Sequence, residues 1–263
     1  MPERRLALRL QMAFAVPWHV GLCLSGTASR PPRLGGHLSL AVVRIWWLDG
    51  EQSAQTQSAE YGATMKLFSS MTSPFARKVR VVIREKGLTA QVEEIIFIPI
   101  ESHPDLLAVN PLSQIPALID DAGVHWTDSG LISAWLDQHG TGPNLLPPAG
   151  TDEYWRVRRL ETAASGLFEM MAKILYEGRR PENERSPFWL KRWQDNLMRS
   201  FARADAICPE PFALDMGSLS LAIAGSFCDF RLPHLGWRKI APRIAVLNEA
   251  LEKRQSFIET YPK

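Results

Sequence analysis

The sequence lacks the features that mark several large classes of protein. Its three cysteines, Cys23, Cys208 and Cys228, form neither a disulfide framework nor a Cys-x-x-Cys pair, so we expect a reducing compartment, the cytoplasm. No run of about 18 apolar residues occurs, which argues against a membrane-spanning helix. Walker loops, Gly-x-Gly-x-x-Gly loops and histidines at metal-ligand spacing are also absent. These absences count against nucleotide enzymes and metalloenzymes.

The sequence also lacks a marked excess of charge of either sign. The net charge of +2 gives no global reason to expect nucleic acid or an anionic membrane as a partner. Lysine is absent from residues 1–64 and frequent afterwards, so the composition changes just before Met65. We interpret residues 1–64 as a poorly structured extension, explained most simply by a mis-assigned start with Met65 the true one. A targeting segment and a genuine added element are the alternatives.

From Met65 onward the periodicities predict an α/β domain followed by an all-helical one. The first domain, 65–142, has the order β-α-β-α-β-β-α, with strands at 65–69, 91–98, 117–120 and 124–126 and helices at 74–86, 103–109 and 128–139. The helix at 74–86 is amphipathic, with Arg77, Arg80, Arg84 and Lys86 away from its apolar side. A turn-rich linker follows at 143–152, and helical periodicity continues over 154–177, 187–206, 218–229 and 242–256.

The sequence Ser73-Pro74-Phe75 opens the first helix directly after a strand. Serine is a favoured N-cap. Proline is tolerated at the first helical position because the N–H that it lacks would have no partner within the helix there. The free amides and the positive end of the helix dipole also make this point a place where a thiol loses its proton more easily. Ser73 is therefore either a cap alone or a cap that also serves a bound thiolate, and Ser70 and Thr72 are alternative sources of the hydroxyl.

Two further stretches complete a pattern. Ile115-Pro116 stands at the mouth of a strand, which predicts a cis peptide bond whose preceding residue offers its N–H and C=O to an extended peptide. Asp128 and Ser129 open another helix and offer a hydroxyl and free amides to a carboxylate, although a plain cap explains them as well. A backbone clamp, an anion site and a thiolate site on one small domain suit a short acidic thiol peptide.

Together these residues closely resemble the glutathione S-transferase family, bacterial type with a serine active site. The resemblance spans nearly all of 65–263 and is carried by Ser-Pro-Phe at 73–75, Asn-Pro at 110–111, Ile-Pro at 115–116 and Asp-Ser at 128–129. Segments 177–181 and 228–231 also resemble bacterial members. The resemblance implies a thioredoxin-like glutathione-binding domain followed by an all-α domain. It also implies glutathione as co-substrate, a hydrophobic electrophile as second substrate and a homodimer. No metal and no nucleic acid or membrane partner are expected.

The resemblance also implies roles for individual residues. Ser73 would donate a hydrogen bond to the glutathione sulfur, and Ile115, with Pro116, would hold the cysteinyl backbone. Asp128 and Ser129 would bind the γ-glutamyl end. Gln114 and His103 would lie near the glycyl end, and the second-substrate pocket would take Phe75, Phe168, Met171 and Tyr176.

Departures from the family pattern limit the chemistry. No cysteine lies near Ser73, which disfavours thiol–disulfide exchange. The helix at 218–229 shows half of a capping box, because Leu221 stands where the family places an aspartate after Ser218, and we expect some loss of local stability. The implied reaction is attack by glutathione thiolate on an electrophile. A non-catalytic binding module of the same fold and a glutathione-dependent lyase, isomerase or dehalogenase are the alternatives.

Overall fold

The computed structural model describes residues 65–98 and 101–263. The extension predicted over residues 1–64 lies outside the described residues. The elements of the first half are β1 (Met65–Ser69), α1 (Pro74–Glu85), β2 (Val92–Ile96), α2 (Pro104–Val109), β3 (Ala117–Ile119), β4 (His125–Trp126) and α3 (Ser129–His139). This is the predicted β-α-β-α-β-β-α order, with ends shifted by one or two residues.

Within the described residues these strands form one four-stranded sheet in the order β2-β1-β3-β4. β1 runs parallel to β2, and it runs antiparallel to β3, which pairs in turn with β4. β1 is central and almost entirely buried, which is why its sequence is apolar rather than alternating. Because β1 leads into α1 at Ser73, the sheet fixes where that helix begins.

The second half is helical, as predicted. Its helices are α4 (Asp152–Arg179), α5 (Pro187–Ala206), α6 (Met216–Arg231), α7 (Pro242–Leu251) and α8 (Gln255–Glu259). Every residue of α6 from Met216 to Cys228 is buried, so α6 is the core helix around which the others pack. The thioredoxin-like and all-α fold class is thereby confirmed.

The stretch predicted as one helix over 242–256 is two helices. α7 ends at Leu251, and the chain turns so that Arg254 and Ser256 reach Glu85 on α1, at 2.8 Å and 2.6 Å. Hydrogen bonds from both partners outweigh the effect of burial and hold the pKa of the Glu85 carboxyl below its ordinary value. The ion pair between Arg254 and Glu85 therefore accompanies a break in the helix that the periodicity alone did not predict.

The half-formed capping box predicted at Ser218 is wrong, because the helix starts earlier. Asp215 is the N-cap of α6 and its carboxylate accepts from the Ser218 amide at 2.7 Å, while the Ser218 hydroxyl accepts from the Asp215 amide at 2.9 Å. Ser218 is thus the third residue of a complete box rather than the first of an incomplete one. The predicted loss of stability has no basis in this geometry.

The expectation that the cations of α1 lie away from the packed core is also wrong. Arg77, Lys78, Arg80 and Lys86 are buried against the sheet and the helical half. Each has a carboxylate partner: Glu252 for Arg77, Glu161 for Lys78, Glu94 for Arg80 and Asp137 for Lys86. In the ranges that the structure covers, no helix is long and apolar enough to cross a membrane.

Candidate functional site

Ser73 lies at the junction of β1 and α1, with an extended backbone that turns the chain into the helix. Its Oγ accepts a hydrogen bond from the Ala76 amide at 3.3 Å, so the predicted N-cap is present. The side chain is half-buried, and its own O–H donates to no acceptor among the described residues. Ser73 can therefore cap the helix and still donate its proton to a group at the mouth of the helix.

The neighbouring hydroxyls are engaged with each other. Ser70 Oγ and Thr72 Oγ1 lie 3.3 Å apart, and the Thr72 amide donates to Ser70 Oγ at 3.2 Å. Ser70 is also buried, with 4% of its surface exposed. This geometry favours Ser73 over Ser70 and Thr72 as the hydroxyl that faces a ligand.

The turn before β3 contains the predicted cis peptide bond between Ile115 and Pro116. The Asn110 side chain holds this turn from both sides, since its Nδ2 donates to the Gln114 carbonyl at 2.8 Å and its Oδ1 accepts from the Leu112 amide at 3.1 Å. Pro116 is buried and Ile115 is half-buried. The sequence showed Asn110 in the Asn-Pro motif, but nothing in the motif itself indicated that the side chain supports the turn.

Asp128 and Ser129 form the start of α3. Asp128 Oδ1 accepts from the Gly130 and Leu131 amides at 2.9 Å and 3.2 Å, and the peptide bond between Thr127 and Asp128 is cis. Asp128 is exposed, and its second carboxylate oxygen has no hydrogen-bond partner within the described part of the chain. One oxygen thus caps the helix, and the other is available to a cation.

A buried ion network of Lys78, Glu161 and Arg158 lies next to the start of α3. Sequence reasoning missed this network. Lys78 is fully buried and pairs with Glu161 of α4, whose other oxygen accepts from Arg158 at 2.7 Å. A Cβ on Gly130 would lie 3.2 Å from Asp128 Oδ1 and 3.7 Å from Glu161 Oε1, so the network reaches the candidate site. Burial lowers the pKa of Lys78, and the attraction of Glu161 opposes this without cancelling it. The available signal was a lysine inside the apolar run of α1.

The two residues predicted for the glycyl end are on the surface. His103 is the N-cap of α2, where its Nδ1 accepts from the Asp105 amide at 3.3 Å and its ring packs 4.7 Å from Phe97. The Gln114 side chain is exposed, and only its carbonyl is tied to Asn110. The structure leaves both side chains accessible without bringing them into contact with Ser73.

Two of the four residues predicted for the second-substrate pocket are buried and two are accessible. Phe75 is half-buried and packs edge-to-face on Phe168, with ring centroids 5.2 Å apart. Phe168 and Met171 are fully buried and present no surface, whereas Tyr176 is exposed beneath the Arg179 guanidinium at 5.5 Å. Phe75 and Tyr176 are therefore the accessible members of the set.

The described residues hold few other groups with chemical reactivity. Burial raises the pKa of Cys208 to about 11 and that of Cys228 to about 12, so both remain protonated thiols at neutral pH. Across 65–98 and 101–263, no group of three or more His, Cys, Asp or Glu side chains is placed to hold a metal ion. The polar groups at the starts of α1 and α3 and at the cis turn are the candidate site.

A thioredoxin-like domain with this cis-proline turn, followed by a helical domain, defines the class of protein, and comparison with known proteins identifies the family. The model of the glutathione S-transferase N-terminal domain matches residues 72–139. The chain is 29% identical over 202 residues to the uncharacterized GST-like protein YibF of Escherichia coli, covering 75% of this chain and 98% of YibF.

Two solved structures extend the comparison. A glutathione S-transferase of Methylobacillus flagellatus with glutathione bound is 30% identical, with a TM-score of 0.70 over 76% of this chain and 100% of that one. A glutathione transferase family member of Pseudomonas fluorescens, with bound S-(propanoic acid)-glutathione, is 29% identical, with a TM-score of 0.66 over 76% of this chain and 98% of that one. The chain belongs to the glutathione S-transferase family.

Proposed function

We propose that the protein is a glutathione transferase, in which Ser73 donates a hydrogen bond to the sulfur of bound glutathione and the thiolate attacks an electrophilic second substrate. The observation that carries the proposal is the Ser73 hydroxyl at the start of α1, which accepts from Ala76 and keeps its proton free. A thiolate there also faces the amides of the first turn and the positive end of the helix dipole, which favour the negative charge. No metal is required for this activation.

The cis turn supplies the site for the cysteinyl backbone. Ile115 precedes Pro116 just outside β3, so its N–H and C=O can pair with an extended peptide in the manner of an added strand. Asn110 fixes the turn through two hydrogen bonds, which reduces the ordering cost when the peptide binds.

The start of α3 suits the γ-glutamyl end of glutathione, which carries both an ammonium and a carboxylate. The free oxygen of Asp128 accepts from the ammonium. Ser129 is buried, with 2% of its surface exposed, and its amide and hydroxyl donate to a carboxylate that packs directly against the start of the helix. Gln114 and His103 are accessible candidates for the glycyl carboxylate. The chemistry of these donors and acceptors therefore fits the two ends of the tripeptide.

The reaction proceeds by nucleophilic substitution when the electrophile is an aryl halide. A sulfur lone pair forms the new C–S bond, and the halide leaves with the electrons of the broken bond. Phe75 and Tyr176 offer apolar surface to the ring of such a substrate. Family membership leads us to propose a homodimer as well.

The test compares the full chain with Ser73→Ala, and uses Ser70→Ala as a matched control from the same loop. Calorimetry measures glutathione binding, and the absorbance change of 1-chloro-2,4-dinitrobenzene measures turnover. We expect Ser73→Ala to bind glutathione and to lose about a hundredfold in kcat, as when one oxyanion donor is removed. Ser70→Ala should keep most of its activity.

Three results would contradict the proposal. Absence of glutathione binding in the wild-type chain would reject it entirely. Binding without turnover of any electrophile would favour the non-catalytic module. A Ser73→Ala protein as active as the wild type would move the role to another hydroxyl or to the backbone amides.

A further inference from the structure

Arg77 lies in the first turns of α1 and joins the start of that helix to the last residues of the chain. Its Nη2 donates to the two carboxylate oxygens of Glu252 at 2.9 Å and 3.0 Å and to the Phe257 carbonyl at 3.1 Å. Its Nε donates to Thr260 Oγ1 at 3.5 Å. The guanidinium carbon also lies 5.3 Å from the ring centres of Phe257 and Tyr261. A single side chain of α1 is therefore held on several sides by the C-terminus.

These contacts come from residues 252–261, which we call the C-terminal segment, and the segment is itself fixed within the fold. The Thr260 hydroxyl donates to the Ser256 carbonyl at 2.7 Å. The hydroxyl of Ser226, on α6, donates to the Glu252 carboxylate. The C-terminal segment therefore gives the start of α1 an anchor that belongs to the helical half.

The backbone of Arg77 is bonded directly to Ser73. The Arg77 amide donates to the Ser73 carbonyl at 2.9 Å, which is the first hydrogen bond of the helix, and Ser73 Oγ accepts from the Ala76 amide in the same turn. Any tilt of this turn moves the Ser73 hydroxyl and the free amides together. The contacts that hold the Arg77 side chain therefore also determine where the Ser73 hydroxyl points.

Arg80 lies about one turn further along α1 and provides a matched comparison. Both arginines are buried, with 2% of the surface of Arg77 and 4% of that of Arg80 exposed. Arg80 pairs through Nε with Glu94 of β2 at 2.5 Å, and within the described residues it makes no hydrogen bond to the C-terminal segment. The two arginines share a helix, a charge and a degree of burial. They differ in the part of the fold to which they connect α1.

We propose that Arg77 is a positioning residue for the glutathione thiolate, which holds the Ser73 hydroxyl and the first amides of α1 against the C-terminal segment in the orientation that the sulfur requires. This inference rests on the proposed function, because it needs the glutathione sulfur at Ser73. A misplacement of about 1 Å in an active site can cost about a hundredfold in rate. The planar guanidinium meets several acceptors in fixed directions, which the single ammonium of a lysine does not do.

The competing explanation is that Arg77 only joins the two halves of the fold and contributes to folding. Under that explanation Arg77→Lys and Arg80→Lys both weaken folding, because each removes the same fork from a buried ion pair. Glutathione bound to either folded variant then ionises as it does on the wild type. The two explanations therefore differ in the pKa of the bound thiol and not in stability.

The experiment compares Arg77→Lys with Arg80→Lys in the full chain. The ultraviolet absorbance of the thiolate, followed against pH, gives the pKa of bound glutathione, and thermal midpoints show how much stability each variant has lost. We expect Arg77→Lys to raise the pKa of the bound thiol by about one pH unit, which leaves about tenfold less thiolate at any pH below both pKa values. Arg80→Lys should leave the pKa of the thiol unchanged.

Turnover of 1-chloro-2,4-dinitrobenzene at saturating glutathione provides a second readout. The rate of Arg77→Lys relative to the wild type should be about one tenth at acid pH and should approach one above the thiol pKa of the variant, where both proteins hold glutathione as thiolate. A loss that comes from folding alone lowers the rate by the same factor across this pH range.

Thr260→Val is a second and milder variant, because it keeps the pair between Arg77 and Glu252 and removes only the hydroxyl that accepts from Nε. It should raise the pKa of the bound thiol by a smaller amount. An unchanged thiol pKa in Arg77→Lys, or in Thr260→Val where the lysine variant does not fold, would overturn the inference while the proposed function stands. An equal rise in Arg80→Lys would also overturn it. If the wild-type chain does not bind glutathione, or binds it with an ordinary thiol pKa, the proposed function and the inference fail together.

Discussion

The cations of α1 and those at the ends of α4 and α6 differ in burial and in pairing. Lys78 and Arg77 each have at most 2% of their surface exposed, and each pairs with a carboxylate from the helical half. Arg179 and Arg231 are more accessible, and no acid in the described ranges is matched to them. The first group serves the packing of the two halves, and the second group lies at helix C-termini, where the helix dipole favours a cation.

This comparison separates two uses of the same charge. A buried cation is costly to desolvate, so it persists only with a well-placed partner, and removing that partner leaves the cost uncompensated. An arginine at the C-terminal end of a helix keeps part of its hydration and interacts favourably with the helix dipole, which contributes about 0.3–1 kcal/mol. Mutations that break a buried pair should therefore cost much more stability than mutations of a cation at a helix end.

Glu161→Gln should give the largest loss of stability. It leaves the fully buried Lys78 without its anionic partner, and we expect the free energy of unfolding to fall by about 3–5 kcal/mol. Urea denaturation followed by circular dichroism measures this. The double variant Lys78→Met with Glu161→Gln removes the buried charge and should recover most of the loss. A loss below about 1 kcal/mol in the single variant would mean that the network is not structural.

Asp215→Ala should have an intermediate effect. It removes the N-cap of α6 and the 2.7 Å pair with Arg156, and we expect a loss of about 1–2 kcal/mol. Asp215→Asn keeps a capping oxygen and loses only the charge, so it should cost less than half as much by the same denaturation assay. Equal losses would assign the stability to the ion pair rather than to the cap.

Arg231→Gln should have the smallest effect on stability. A cation at the end of a helix contributes about 0.3–1 kcal/mol, so the thermal midpoint should move by only a few degrees. If this variant destabilises the chain as much as Glu161→Gln, the division between buried, paired cations and cations at helix ends is wrong.

The sequence predicted what depends on neighbouring residues. Ser73 with Pro74, Ile115 with Pro116 and the cap at Asp128 were recognisable because turn and cap chemistry is local. The structure confirms the cis peptide bond at Ile115 and the caps at Ser73 and Asp128. The roles of these residues toward glutathione stay predictions.

The features that sequence reasoning missed depend on contacts between distant residues. Lys78 and Glu161 are far apart in the chain, and their pairing needs α1 and α4 to be packed antiparallel. The turn between α7 and α8 similarly depends on Glu85, which lies on α1. Helical periodicity predicts one continuous element there because it contains no information about a partner from the other half of the fold.

The most direct test of the central claim is the ionisation of glutathione on the protein. Thiolate absorbance near 240 nm, followed against pH for the glutathione complexes of the wild type and of Ser73→Ala, gives the pKa of the bound thiol. We expect the wild-type complex to titrate well below the value of about 8.5 of an ordinary cysteine thiol, and the Ser73→Ala complex to move back toward it. A bound thiol that titrates at the same pH in both proteins would contradict the role of Ser73.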